Sequence, residues 1–163
     1  GSGGASFSPA DVMRRVNALI IPDNQQGMFV TAVYGVLSLE KGELTFANAG
    51  HNPPIWLCAE THELEVLHRT GAALGIIEGL EMEERTISIC KGDTLLLYTD
   101  GLTEAFSPAD EIFGEERVHE VLHSVNSPTA RGLRDMLEST VKRFMGPLPP
   151  TDALTMLAVK RKK

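Results

Sequence analysis

The pattern of apolar and polar residues divides the chain into three blocks. Residues 12–20 carry apolar side chains at helical spacing behind a Ser-Pro-Ala-Asp start at residues 8–11, in which the serine caps a helix and the proline takes its first position. Residues 28–98 hold short β-branched and apolar runs separated by turn residues, which is typical of antiparallel strands. Residues 115–144 return to helical spacing, and residues 151–159 have the pattern of a last strand. This order predicts an α+β fold with helices covering sheet faces.

The most apolar of these strands leads into an acidic residue. Residues 95–98 are apolar in succession, which predicts a strand buried on both faces, and Thr99-Asp100-Gly101 follows directly. A carboxylate at the mouth of a core strand is costly unless a partner such as a divalent cation pairs it, and Gly101 lets the backbone turn sharply there. Asp-Gly is also an ordinary turn signal, so both interpretations of Asp100 stay open on these residues alone.

A second acid, Asp152, begins the last predicted strand. If that strand is an antiparallel neighbour of residues 95–98, the end of one lies beside the start of the other, and Asp100 and Asp152 would share a cation. Pairs of metals about 4 Å apart hydrolyse phosphate esters by activating a bridging water. The alternative is that Asp152 is a turn residue after Pro149-Pro150.

A further group of polar residues, Asn48 and His51, lies in the Gly- and Pro-rich stretch 47–54. A lone histidine in such a loop more often braces backbone or lies at the surface than binds a metal. The other four histidines show no spacing typical of a metal site or a triad, and no Cys or Ser lies in a nucleophile context. The glycines of residues 71–79 lack the Lys and Ser of a phosphate-binding loop, which argues against a nucleotide site.

Composition narrows the possible partners. The 163 residues carry a formal charge of −7, and the basic residues cluster only at 160–163, so we expect no nucleic-acid partner. Neither a membrane-spanning apolar run nor a secretory signal pattern is present, so we expect a cytoplasmic location and no membrane contact from this domain. Residues 1–5 are interpreted as a linker or cloning remnant, which leaves residues 6–163 as one domain.

Several motifs point together to one family. They occur in this order: Phe29-Val30-Thr31, Tyr34-Gly35-Val36, Ala47-Asn48-Ala49-Gly50-His51-Asn52-Pro53-Pro54, Leu74-Gly75, Gly92-Asp93, Leu97-Tyr98-Thr99-Asp100-Gly101-Leu102-Thr103-Glu104-Ala105, Phe113-Gly114 and Asp152 to Thr155. The set resembles the metal-dependent protein phosphatases (PPM, protein phosphatase 2C-like), in their bacterial SpoIIE/RsbU-type branch. The resemblance covers roughly residues 8–159.

This resemblance implies an antiparallel β-sandwich flanked by helices, with a centre of two Mn²⁺ or Mg²⁺ ions at one end. The implied reaction is hydrolysis of phosphoserine or phosphothreonine, on a phosphoprotein of the anti-sigma-factor antagonist type in bacterial stress or sporulation signalling. By position, Asp100 and Asp152 would be the catalytic metal ligands, Gly101 would complete the Asp-Gly metal motif, and Asn48 and His51 would support the site. In many relatives the last motif reads Asp-Asp-x-Thr, and Ala153 here replaces its second acid.

The start of the chain departs from the family pattern. The family's first strands carry an acidic ligand and an Asp-Gly pair that bridges both metals, and no equivalent precedes residue 8. We therefore expect an N-terminally truncated phosphatase domain, its C-terminal two-thirds or so, with weak metal binding and weak activity alone; tighter binding would point to Asp93 and Glu104 as further ligands.

Two more expectations follow from the absent strands. Uncovered strand edges predict a homodimer or larger assembly, with residues 28–39 the expected contact because they are apolar and hold no proline. The alternative to an enzyme is a catalytically incomplete phosphatase-like module that acts as a regulatory domain by binding a partner protein.

Overall fold

The helices and strands follow the predicted order of helix, strands, helices and strand. The computed structural model describes residues 8–24, 27–125, 129–147, 149 and 152–162. The elements are α1 (Pro9–Ile20), a 3₁₀ turn (Ile21–Asp23), β1 (Ala32–Ser38), β2 (Glu43–Ala49), β3 (Ile55–Leu57), β4 (Leu64–Val66), β5 (Arg85–Ser88), β6 (Thr94–Tyr98), α2 (Asp100–Thr103), α3 (Gly114–Ser124), α4 (Ala130–Met145) and β7 (Met156–Lys160). The predicted α+β class is confirmed. None of the helices in these ranges combines the length and the apolar character needed to cross a membrane.

The chain divides into two compact units. The first comprises Gly1–Pro53 and His68–Ile89, and the second comprises Pro54–Leu67 and Cys90–Lys163. The first contains a three-stranded sheet in the order β1-β2-β5, and the second contains a four-stranded sheet in the order β4-β3-β6-β7. All strand pairs in both sheets are antiparallel.

In the first unit, α1 begins as its sequence predicts. The Ser8 hydroxyl accepts a hydrogen bond from the Asp11 backbone N–H and so caps the helix. The helix buries Ala10, Met13 and Asn17, although Leu19, which belongs to the apolar stripe of residues 12–20, is 75% exposed. The buried face is displaced because the Asn17 amide accepts from Gly75 N–H and donates to the Ile77 carbonyl, which draws a polar side chain into the interior.

The second unit has a larger apolar core. Its members come from β3, β6 and all three helices, and those with at most 1% exposure are Ile55, Leu96, Leu102, Phe113, Val118, Leu122, Leu133, Leu137 and Val141. The Phe113 and Phe144 rings meet edge to face with centroids 5.3 Å apart. The helices therefore anchor the sheet that carries β6.

The neighbouring position of β6 and β7 is confirmed. Their ladder is antiparallel and runs from Thr94 opposite Lys160 to Tyr98 opposite Met156. The last strand, predicted over residues 151–159, begins at Met156, because the backbone groups of Ala153 and Thr155 bond to Thr99; residue 151 lies outside the described residues. Asp152 therefore lies on an irregular segment before β7.

Candidate metal-binding site

The first part of the candidate site is the end of β6. The chain leaves Tyr98 in an extended conformation at Thr99 and enters the one-turn helix α2, which begins with Asp100. Leu102 anchors this turn because its side chain is fully buried. Asp100 is exposed, and its Oδ1 accepts a hydrogen bond of 3.0 Å from the Gly101 N–H. The carboxylate is thus presented to solvent from a fixed backbone.

Thr99 joins the end of β6 to the segment before β7. Its backbone N–H donates to the Thr155 carbonyl at 3.1 Å. Its hydroxyl donates to the Ala153 carbonyl at 2.9 Å and accepts from the Thr155 N–H at 3.2 Å. These three bonds, together called the Thr99 clasp below, hold the segments that carry Asp100 and Asp152 against each other.

Gly101 is required at this junction for steric reasons. A Cβ atom added at Gly101 would lie 2.6 Å from the Ala153 carbonyl oxygen, closer than real Cβ contacts allow. Gly101 is not in the sharp turn that the sequence predicts, since it lies within α2 and is absent from the glycines with positive φ. The close approach of two backbones is the physical reason for a glycine here.

Asp152 lies on the other side of the Thr99 clasp. Its side chain is exposed, and Oδ1 accepts a 2.6 Å hydrogen bond from the Ala153 N–H. Asp152 and Gly101 line the same cavity. The structure thus brings the segments of both predicted ligands to one end of the second unit, as the antiparallel pairing predicts.

These residues suit a hard divalent cation. Carboxylate oxygens are the ligands that Mg²⁺ and Mn²⁺ prefer, and Mg²⁺ commonly binds through one or two carboxylates while it keeps several waters. Asp100 and Asp152 carry oxygen atoms of this kind, and their role as ligands stays a prediction. Across the described ranges, however, no three or more His, Cys, Asp or Glu side chains are grouped to hold a metal ion.

Asp93 has a structural role. It is fully buried, its Oδ1 accepts from Ala59 N–H at 2.8 Å, and its Oδ2 accepts from Trp56 Nε1 at 3.0 Å and from Cys90 N–H at 2.7 Å. It precedes β6, whereas Asp100 follows it, and a strand of this length separates them by roughly 20 Å. Asp93 therefore satisfies backbone donors at the opposite end of the strand and is a poor candidate for a ligand. Glu104, the exposed residue that ends α2, remains an untested candidate.

Asn48 and His51 lie in the first unit and brace a loop. The buried Asn48 amide donates to the His51 carbonyl at 3.1 Å, and its oxygen accepts from the His51 N–H at 2.8 Å. The His51 ring Nδ1 is 3.0 Å from the Thr31 hydroxyl. These contacts agree with the bracing alternative, and a part for either residue in catalysis stays a prediction.

A cleft borders the Asp152 side of the site. It has a volume of about 690 Å³ and is lined by Gly101, Ala105, Arg134, Glu138, Lys142, Met145, Gly146, Asp152, Leu154, Thr155 and Met156. Sequence reasoning missed the three charged residues of α4 in this lining. Their spacing of four residues signals a common helix face, but no pattern in the sequence says which cavity that face borders. Thr99 was also missed as a structural link, although it stands within the Tyr-Thr-Asp-Gly motif.

Burial governs the ionisation of the tyrosine that ends β6. Tyr98 is 3% exposed, and this burial, assisted by the negative charge of Glu115, raises its pKa to about 12. The phenol therefore stays neutral at physiological pH. On α4, the hydrogen bond from Arg134 to Asp135 raises the pKa of the guanidinium, which stays fully charged.

The sequence model of the family described as Stage II sporulation protein E (SpoIIE) matches residues 4–162. The chain belongs to the SpoIIE family. It is therefore a phosphatase domain of the PPM type, in the branch that includes RsbU, as the motifs predict.

Two curated relatives show how much of a longer protein this SpoIIE-family chain represents. Protein IcfG of Synechocystis sp. is 31% identical over 154 residues, which are 93% of this chain and 24% of IcfG. Phosphoserine phosphatase RsbU of Bacillus subtilis is 28% identical over 96 residues, which are 59% of this chain and 29% of RsbU. The chain thus spans about a quarter of the length of the curated relatives that it matches.

Solved structures show that the SpoIIE-family chain has the protein phosphatase 2C fold. The SiaA-PP2C domain of Pseudomonas aeruginosa superposes with a TM-score of 0.78 at 20% identity, covering 95% of this chain and 60% of that domain's chain. The phosphatase domain of SpoIIE from Bacillus subtilis, in a crystal presoaked with Mn, gives a TM-score of 0.70 at 14% identity and covers 97% of this chain and 68% of the other. At these identities the likeness shows the fold alone.

Proposed function

We propose that this chain forms part of a Mn²⁺- or Mg²⁺-dependent serine/threonine protein phosphatase in which Asp100 and Asp152 are the catalytic metal ligands. The observation that carries the proposal is the Thr99 clasp. It joins the two acidic segments at the end of the β6/β7 ladder, although they lie more than fifty residues apart in sequence. A turn residue with no further role does not need such a link.

Some of these residues bind the metal ion, and others position the backbone segments that carry the ligands. A bound metal supplies a water of lowered pKa and positive charge beside the phosphate. Asp100 and Asp152 hold the ion, and the backbone of Gly101 belongs to the same ligand segment. Thr99 fixes both acidic segments, and the absent Cβ of Gly101 lets them approach. The remaining ligands come from outside the described residues, with residues 6–163 forming the C-terminal part of the catalytic domain.

The proposed substrate is a protein phosphorylated on serine or threonine. The relative RsbU is a phosphoserine phosphatase, which supports this class. An anti-sigma-factor antagonist, acting in cytoplasmic stress or sporulation signalling, is the substrate type proposed from the family resemblance. The acidic net charge of −7 argues against a nucleic-acid substrate, because the phosphate backbone would be repelled.

The test is an isosteric substitution in the full-length protein that contains this chain. Asp100→Asn keeps the shape of the side chain and removes its charge, so Mn²⁺-dependent hydrolysis of a phosphoserine peptide should fall at least about a hundredfold, on the order of 3 kcal/mol in the barrier. Asp110→Asn is the matched control. Asp110 is exposed, and its φ of 58° is one that asparagine adopts readily, so its variant should keep wild-type turnover. Wild-type turnover by Asp100→Asn would remove Asp100 from the site.

A second candidate function is a regulatory module that binds a partner protein without hydrolysing phosphate. It is favoured by one observation, that no three or more His, Cys, Asp or Glu side chains of the described residues are grouped to hold a metal ion. The same assay separates the two functions. A full-length protein that shows no Mn²⁺- or Mg²⁺-dependent hydrolysis would favour the module.

A further inference from the structure

We infer that the cleft beside α4 binds the polypeptide that flanks the phosphorylated residue, and that it selects a substrate with an acidic and an apolar residue there. This inference rests on the proposed function, because the cleft matters for substrate choice only if the adjacent acids hold the catalytic metal. The cleft lies wholly within the second unit and includes Gly101 and Asp152 in its lining. An occupant whose phosphate lies at the metal end therefore continues directly into it.

The charged side of the cleft is a single face of α4. Arg134, Glu138 and Lys142 are four residues apart, so they stand one turn above the other along about 12 Å of helix. Their side chains are 48%, 39% and 69% exposed, respectively, and all three border the cavity. The face presents two cations, with the carboxylate of Glu138 between them, to a ligand lying along the helix.

The rest of the lining is apolar. Ala105 and Met145 are buried residues of this lining. Leu154 and Met156, which come from β7 and the segment before it, are half-buried. The volume of about 690 Å³ falls within the range of about 300–1,000 Å³ typical of ligand sites. An apolar floor with a charged side suits a peptide that buries one apolar side chain and keeps its polar groups at the rim.

The ion pairs now present on α4 leave the cations available. Arg134 pairs with Asp135 at 2.6 Å and Lys142 pairs with Glu138, both in solvent-exposed positions. Exposed pairs of this kind contribute at most about 1 kcal/mol. A carboxylate of the substrate can therefore exchange with Asp135 or Glu138, and the fork of an arginine binds such a group with two parallel hydrogen bonds.

The experiment compares two substrates on the full-length protein with Mn²⁺. One is p-nitrophenyl phosphate, which is too small to extend along α4. The other is a phosphoserine peptide carrying Leu and Glu residues on both sides of the phosphoserine. The variants are Arg134→Ala and Lys142→Ala, singly and together. Alanine is the best helix former, so these exposed changes should leave α4 intact.

The expected result is a selective loss. For the phosphopeptide, kcat/KM should fall about threefold in each single variant and about tenfold in the double variant, while hydrolysis of p-nitrophenyl phosphate stays within about twofold of wild type. Arg143→Ala is the matched control, because Arg143 is an exposed cation next to Lys142 on α4 that does not line the cleft. It should leave both substrates unchanged.

The outcomes separate this inference from the proposed function. A protein that hydrolyses both substrates, but whose cleft variants match Arg143→Ala, overturns the peptide cleft alone. An equal loss on both substrates also overturns it, since the cations would then act in chemistry or folding. A wild-type protein with no metal-dependent hydrolysis of either substrate overturns the proposed function and this inference together.

Discussion

A central strand of the second unit and an edge strand of the first are buried to different degrees. Four of the five residues of β6 are buried, whereas none of the seven residues of β1 is. The cause is position in the sheet: β6 pairs with β3 on one side and β7 on the other, but β1 lies at an edge next to β2. Tyr34, Val36 and Leu37 of β1 are each about 40% exposed. The candidate metal ligand Asp100 thus follows a strand that is largely buried and paired on both sides.

The two apolar cores differ in the size of their side chains. Large side chains of α3 and α4, such as Leu122 and Leu137, pack on the sheet of the second unit. The core of the first unit consists largely of alanine, leucine and methionine side chains between α1 and β2. A precise site needs a rigid support, and the second unit provides more of it. Three measurable effects are expected from this difference between the units.

The largest expected effect is on stability. Leu137→Ala empties a fully buried position of α4 and should lower the free energy of unfolding by about 2–5 kcal/mol. Leu37→Ala, the same change at a 40% exposed position of β1, should cost less than about 1 kcal/mol. Urea denaturation of both variants measures the contrast. Equal losses would show that β1 is as well packed in solution as α4.

A smaller effect concerns pH, since each unit contains one tyrosine. The pKa of Tyr98 is raised to about 12, so the folded protein keeps this proton at a pH where the unfolded chain, with a tyrosine pKa of about 10, releases it. The contribution of Tyr98 to the free energy of unfolding should therefore be fully present below pH 10. The free energy of unfolding should then fall by about 2 kcal/mol as pH rises to 12. Denaturation across this range should show the loss in wild type and in Tyr34→Phe, but a reduced loss in Tyr98→Phe. A wild-type slope retained by Tyr98→Phe would contradict this assignment.

The smallest effect is association through β1. Its exposed edge and apolar side chains, with Met28, Phe29 and Val30 also about half exposed or more, should produce a dimer or larger assembly of residues 1–163 at tens of micromolar. Val36→Lys places a charge on this edge and should shift the assembly toward monomer in light scattering. Val159→Lys makes the matched change on β7, the edge strand of the other sheet, and should not. A wild-type monomer at that concentration would refute the expectation.

The local features of this fold are readable from sequence because they depend on near neighbours. The Ser8 cap, the hairpin of β1 and β2, and the buried run before Asp100 each follow from residues within a few positions. The meeting of the Asp100 and Asp152 segments was predicted only on the condition that β6 and β7 are antiparallel neighbours, and their ladder meets that condition.

Features that depend on contacts between residues far apart in the sequence could not be predicted from it. The exposure of Leu19 follows from the bonds of Asn17 to a loop some sixty residues away, and the burial of Asp93 follows from donors on β3 and its neighbours. The cleft face of α4 likewise depends on where the helix is placed. In each case a tertiary contact, absent from any local pattern, decides which side of an element is used.

The Thr99 clasp has a consequence for the order of folding. Thr99 and Ala153 are 54 residues apart, so the contact that aligns the two acids closes a long loop through α2, α3 and α4. Closing such a loop is entropically costly until the helices have packed and shortened the distance between its ends. The contact between the two acidic segments should therefore form late, after the helical core, at the step in which β7 docks beside β6.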